Sequence, residues 1–116
     1  MIEAAKAYAK LFSSRIVYRD KIIAEYSELE NTSWLKKKKK VCYETKHSSY
    51  YIFLNNIQFH LYDFMIDDES YGICGGSFPL YENDEFVGTI TFTGLRSQED
   101  HGVIIQVLEK VFQERN

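Results

Sequence analysis

Apolar residues recur at three- and four-residue steps over residues 2–13, in Ala5, Tyr8, Leu11 and Phe12, which is the period of a half-buried helix. The period then shortens. Residues 15–19 and 22–27 are rich in Ile, Val and Tyr and flank Arg19-Asp20-Lys21, which predicts a hairpin of two strands. Asn31, Thr32 and Ser33 each carry a side chain suited to cap a helix starting near Trp34. On that helix Trp34 and Val41 lie seven residues apart, as do Leu35 and Cys42, so all four fall on one stripe. A second helix is predicted from Tyr50 to about Gln58, capped by Ser48 or Ser49, with Tyr51, Leu54 and Phe59 buried. Residues 60–72 read as irregular or weakly helical.

Residues 71–102 hold the only proline and all six glycines. Residues 71–74 read as a short strand, 75–77 as a turn, 78–82 as a strand and 83–85 as a tight turn. In the strand that follows, Val87, Thr89, Thr91 and Thr93 alternate with Phe86, Ile90 and Phe92, which predicts one buried face. Gly88 interrupts it, which predicts a bulge or a close neighbour. Gly94 ends the strand. Ser97 with Asp100 at the third position forms a variant capping box, and Val103, Ile104, Val107, Leu108, Val111 and Phe112 give a helical stripe. The order is helix, two strands, two helices, three strands, helix. It predicts an α+β domain with an antiparallel sheet of about five strands and helices against its faces.

A chain of 116 residues with 45% apolar and 16% aromatic residues supports one packed core and one domain, 1–116. Its formal charge of −3 argues against general nucleic-acid binding. The run Lys36 to Lys40 pulls the other way. Five consecutive helical residues sweep more than a full turn, so these lysines do not all share one solvated face. Lys37 and Lys38 sit three or four residues from both Trp34 and Val41, over the apolar stripe. They must reach along the surface to water or meet acceptors at a domain or subunit boundary. The run as a whole reads as a solvated face, with a nuclear-localisation or phosphate-binding patch as the alternative.

Two cysteines, Cys42 and Cys74, form neither a disulfide framework nor a compact zinc signature, which places two free thiols in a reducing cytosol. No apolar stretch approaches the roughly 20 residues of a membrane span. Lys6, Lys10 and Arg15 beside Ser13 and Ser14 faintly resemble a transit segment, but Glu3 and the apolar stripe fit an ordinary first helix.

Candidate chemistry is sparse. Gly75 and Gly76 permit positive φ and close approach, either as a structural turn or, with Ser77, as a nest of amides for a carboxylate or other anion. His101 falls in the first turn of the last helix, where the dipole favours neutral imidazole, able to ligate a metal or haem iron or to serve as a hydrogen-bonding neighbour of Asp100. His47 with Ser48 and Ser49 lacks the Gly-x-Ser-x-Gly elbow of a nucleophile, and helix capping accounts for the serines. No catalytic residue and no metal set emerges.

Several ordered motifs together carry a resemblance. Residues 75–80 ("GGSFPL"), 87–95 ("VGTITFTGL") and 97–101 ("SQEDH"), with Trp34 heading a basic helix and His47-Ser48-Ser49-Tyr50 at its far end, resemble the haem-degrading-domain family of GlcG/HbpS-like proteins, in its cytosolic branch. The resemblance spans about residues 34–112. It implies a profilin-like fold, with a five-stranded antiparallel sheet and helices on both faces, assembling into a symmetric homo-oligomer. It also implies haem as a possible cofactor. Cys74 stands where the family often has a histidine, and Thr93 where it has a serine.

The reading that follows is a cytoplasmic homo-oligomer that binds a small molecule or a protein partner in clefts between subunits, without catalysis and without nucleic acid or membrane. The ligand-binding candidates are Lys38, His47, Ser48, Gly75, Gly76, Ser77, Asp100 and His101. A haem-binding or haem-degrading protein is the alternative.

Overall fold

Two pairs of left-handed residues turn the chain back on itself: Arg19 and Asp20, with φ of 48° and 66°, and Asn83 and Asp84, with φ of 54° and 65°. Positive φ at both central positions makes two-residue hairpin turns whose twist matches that of the strands they join. The first joins β1 (Ser13–Tyr18) to β2 (Lys21–Ser27), and the second joins β3 (Ser77–Glu82) to β4 (Glu85–Thr93). All pairings are antiparallel, in the order β2-β1-β4-β3, with Ile16 opposite Ile90 and Phe78 opposite Ile90 on its other side. The helices are α1 (Ser33–Thr45), α2 (Ser49–Phe59), the short α3 (Asp63–Ile66) and α4 (Ser97–Arg115). This is the architecture of a computed structural model that describes residues 11–29 and 33–115, and side chains through 111.

The α+β reading stands, with four strands among the described residues instead of five. Residues 71–74 are not a strand because their amides are spent elsewhere: Gly72 N donates to Lys37 O at 2.9 Å and Cys74 N to Gly72 O at 2.9 Å. The segment lies hard against α1, where a Cβ on Gly72 would meet Lys37 Cβ at 2.9 Å. The predicted first helix falls outside the described residues up to residue 10, and residue 13 belongs to β1.

β4 is buried on both faces, not one. On one face Ile90 and Phe92 pack with Phe12 and with Val103 and Ile104 of α4. On the other, Thr89 and Thr91 lie beneath α1, whose buried stripe is Leu35, Lys38, Val41 and Cys42. Gly88 fulfils the close-neighbour reading. A Cβ there would sit 1.9 Å from Val17 O of β1, and the β3 register slips beside it.

α2 is capped by Ser48, whose Oγ accepts from Tyr51 N at 3.1 Å. Its buried residues are Ser49, Ile52 and Asn56, whereas Tyr51, Leu54 and Phe59 face outward. The buried face is rotated from the predicted one because it includes Asn56, a polar residue. Its amide is buried by use, donating to Asp63 Oδ1 at 3.0 Å and accepting from Tyr62 N at 2.7 Å. α4 also starts differently from the expected box. Glu99 Oε1 accepts from Arg96 N at 3.2 Å, and Asp100 Oδ1 from Leu95 N at 2.9 Å, so the carboxylates reach back past Ser97. No helix of the described residues is long and apolar enough to cross a membrane.

Candidate functional site

Lys38 stands three residues from both Leu35 and Val41, so helical geometry drives it into the α1 stripe that covers the sheet. Its ammonium therefore has to find acceptors indoors. Nζ donates to Phe92 O at 3.1 Å, Thr93 Oγ1 at 3.2 Å and Asp100 Oδ2 at 2.8 Å, which satisfies its three protons. The Lys38 and Asp100 side chains are 3% and 2% exposed. The acceptors meet here because β4 ends at Thr93 and α4 begins four residues later, bringing Asp100 back over the strand end.

The space for the lysine is made by glycine. Gly76 has φ of +131°, and a Cβ on it would lie 2.3 Å from Phe92 O and 2.8 Å from Lys38 Nζ. Gly75 is equally confined, its would-be Cβ 2.1 Å from Ser97 O, while its amide donates to Ser97 Oγ. Ser77 N donates to Ser49 Oγ at 2.9 Å, and Ser77 Oγ lies 3.0 Å from Thr91 Oγ1. The Gly75 and Ser77 amides are thus held by serine hydroxyls and do not point at an empty anion nest.

Above the ion pair opens a cleft of about 360 Å³, lined by Leu29, Trp34, Lys38, Cys74, Thr93, Gly94, Leu95, Ser97 and Asp100. Trp34, expected on the buried stripe, is 44% exposed and forms a wall of this cleft. Burial pushes the Asp100 carboxyl above its ordinary range, against the pull of Lys38 and of the Leu95 amide. Burial likewise raises the Cys74 thiol, with the Lys38 charge opposing, so Cys74 stays protonated near neutral pH.

The structure thus brings Lys38, Gly75, Gly76 and Asp100 together, with Ser77 beneath α1 beside them. The remaining candidates lie apart. His47 stacks on Tyr51 at 4.7 Å on the surface, and Ser48 caps α2. His101, although next to Asp100 in sequence, turns to Tyr50 at 4.8 Å and Phe78 at 6.2 Å; burial lowers its pKa, and its Nδ1 is buried without a hydrogen-bond partner. Sequence reasoning missed Leu29, Leu95 and Ser97 as cleft residues. The available signal was that Cys74 precedes the paired glycines and that Gly94 ends β4, two points where backbone must pass close to something. Among the described residues no group of three or more His, Cys, Asp or Glu side chains is placed to hold a metal.

Comparison with known proteins agrees with this frame. A family model described as haem-degrading protein HbpS-like matches residues 23–109. A protein of Psychromonas ingrahamii called UPF0303 protein is 33% identical over 87 residues, covering 71% of this chain and 54% of its own. The chain spans about half the length of the curated relatives it matches. Among solved structures, the Ybr137w protein superposes with a TM-score of 0.82 at 23% identity, covering 97% of this chain and 72% of its own. A structure titled as a PduOC:heme complex has a TM-score of 0.70 at 16% identity, covering 88% of this chain and 79% of its own. At those identities the two structures speak for the fold. With three quarters of its length matched by the family model, this chain belongs to the HbpS-like family of haem-degrading proteins.

Proposed function

We propose that the protein is a binding module that holds one small, flat ligand with a polar end in the cleft above Lys38 and Asp100, and that it works as a cytoplasmic homo-oligomer of profilin-like subunits. The observation that carries the reading is the joining of a fully paired, buried ion pair to a cleft of about 360 Å³ with a half-exposed tryptophan wall. That volume lies within the range of small-molecule sites, roughly 300–1,000 Å³, which combine apolar walls with a few fixed polar groups. Leu29, Leu95 and Trp34 supply the walls, and Thr93 and Ser97 the hydroxyls.

Chemistry at this site is recognition, not reaction. All three Lys38 protons and both Asp100 oxygens are committed to protein partners, which leaves no free base and no free amine. Support for assembly comes from Leu54, Ile57, Phe59, Leu61, Phe64 and Ile66, each about half exposed or more on α2, α3 and their link. Apolar surface in that quantity is characteristic of contact faces.

Haem is the second reading, favoured by the family description and by the haem-bound structural neighbour. The cleft itself does not fit it. No histidine, methionine or tyrosine lines it, and Cys74 alone offers a sulfur.

A titration with the flat aromatic anion 8-anilinonaphthalene-1-sulfonate tests the main reading. Trp34 is the only tryptophan, so its emission reports on one side chain, a wall of the cleft that also carries Lys37 on its ring. Quenching of Trp34 that saturates at one probe per chain is expected. Absence of quenching, or non-saturating binding, refutes the cleft. A parallel haemin titration that gives a Soret band abolished by His47→Ala or His101→Ala would put haem first.

A further inference from the structure

We infer that the outer face of α1 is a docking surface for a short acidic peptide segment of a partner protein. Lys38 is turned inward, which leaves Lys36, Lys37, Lys39 and Lys40 around the outer side of the helix. With Ser33, Tyr43, Glu44 and Ser70 they line a groove of about 530 Å³, separate from the Trp34 cleft.

Three observations converge on an anionic occupant. First, among the described residues no carboxylate lies within ion-pair distance of these four ammonium groups, since the only lysine in an ion pair is Lys38. Two carboxylates border the groove without an ion pair to these lysines: Glu44 accepts from Tyr71 Oη, and Asp68, whose carboxyl feels the Lys40 charge, accepts from Ser70. Second, three of the four lysines are held in place by aromatic faces. Lys37 Nζ lies 4.9 Å from the Trp34 ring, Lys39 Nζ 5.4 Å from Tyr43 and Lys40 Nζ 4.3 Å from Tyr71, and Lys40 Nζ also donates to Ser70 Oγ at 2.6 Å. Side chains ordered in advance lose less entropy on binding. Third, charge is segregated. With Lys38 paired to Asp100, Lys36, Lys37, Lys39, Lys40 and Lys46 against Glu44 still give residues 33–46 a formal +4 in a chain of net −3.

The same segregation selects the class of partner. α1 is 13 residues long, about 20 Å at 1.5 Å per residue. An extended acidic segment of about six residues covers that length. A nucleic-acid strand would continue beyond it onto the negative remainder of the molecule.

Fluorescence anisotropy with fluorescein-labelled hexaglutamate tests this. At low salt the peptide binds the wild-type chain, and binding weakens as salt screens the charges. The K36Q/K39Q/K40Q variant, which keeps the side-chain stems, should bind about tenfold more weakly. K36R/K39R/K40R restores affinity, and Lys21→Gln on β2 leaves it unchanged. Circular dichroism establishes that each variant is folded before it is compared. The inference is overturned if the glutamine variant binds as tightly as wild type, if Lys21→Gln weakens binding as much, if an RNA hexamer of equal charge binds as tightly as the peptide, or if phosphatidylserine vesicles compete the peptide off.

Discussion

Replacing Lys38 by Met keeps an unbranched stem of similar size and removes only the ammonium. What remains is a buried Asp100 carboxylate whose Oδ2 has lost its partner at 2.8 Å, and a Phe92 carbonyl and a Thr93 hydroxyl that have lost theirs at 3.1 and 3.2 Å. Breaking a buried ion pair by deleting one member costs about 3–5 kcal/mol, a large share of the roughly 5–15 kcal/mol that holds a domain of this kind together. At about 4 °C per kcal/mol for a chain near this length, the melting temperature should fall by about 12–20 °C. The double variant K38M/D100N removes the stranded charge, while the asparagine oxygen still accepts from Leu95 N, held at 2.9 Å by Asp100 Oδ1. It should therefore recover about 1–3 kcal/mol relative to K38M alone. Urea unfolding followed by circular dichroism gives the stabilities of wild type, K38M, D100N and the double variant. A K38M loss below about 1 kcal/mol, or a double variant no better than the sum of the single effects, would show that the pair is not an isolated, desolvated unit.

Other consequences follow from the same geometry. Burial lowers the His101 pKa beneath its unfolded value, so the folded state favours neutral imidazole; this contribution is complete above about 6.5 and is lost as pH falls through the lower folded value. Wild-type stability should therefore drop on acidification below about 6.5 relative to His101→Gln, and identical pH profiles of thermal melting would contradict the burial of that ring. The Cys42 thiol is pushed up to about 12 by burial, so it should stay unreactive toward N-ethylmaleimide in the folded chain while Cys74 is labelled; labelling of both at equal rates would contradict the packing of α1. Gly88→Ala places a methyl group 1.9 Å from Val17 O, where only backbone can yield, and should cost about 1–3 kcal/mol or more by chemical denaturation. A neutral Gly88→Ala would mean that β1 and β4 are not in this register.

The elements with strong periodicity were legible in the sequence. The first hairpin, α1, a cap at Ser48 or Ser49 and the long α4 follow from alternation, helical stripes and capping residues, each a local signal. Where the sequence misled, a long-range contact overrode the local one. Residues 71–74 look like a strand, but Gly72 is bound to a carbonyl of α1. Thr89 and Thr91 look like a solvated face, but α1 covers them. The site divides in the same way. Geometry alone placed Lys38 over an apolar stripe and required an acceptor for it, yet nothing local showed that the acceptor was Asp100, 62 residues away. His47 drew attention as a chemical residue and proved to be a surface stacking partner of Tyr51.

The proposed ligand occupies the space bounded by Trp34, Cys74 and the Lys38–Asp100 pair. The most direct check is the rate of Cys74 alkylation by N-ethylmaleimide, followed by peptide mass spectrometry with and without saturating 8-anilinonaphthalene-1-sulfonate. Occupation of the cleft predicts that the probe slows Cys74 labelling several-fold, and that chains already alkylated at Cys74 no longer quench Trp34 on adding the probe. An unchanged alkylation rate in the presence of bound probe would contradict the claim.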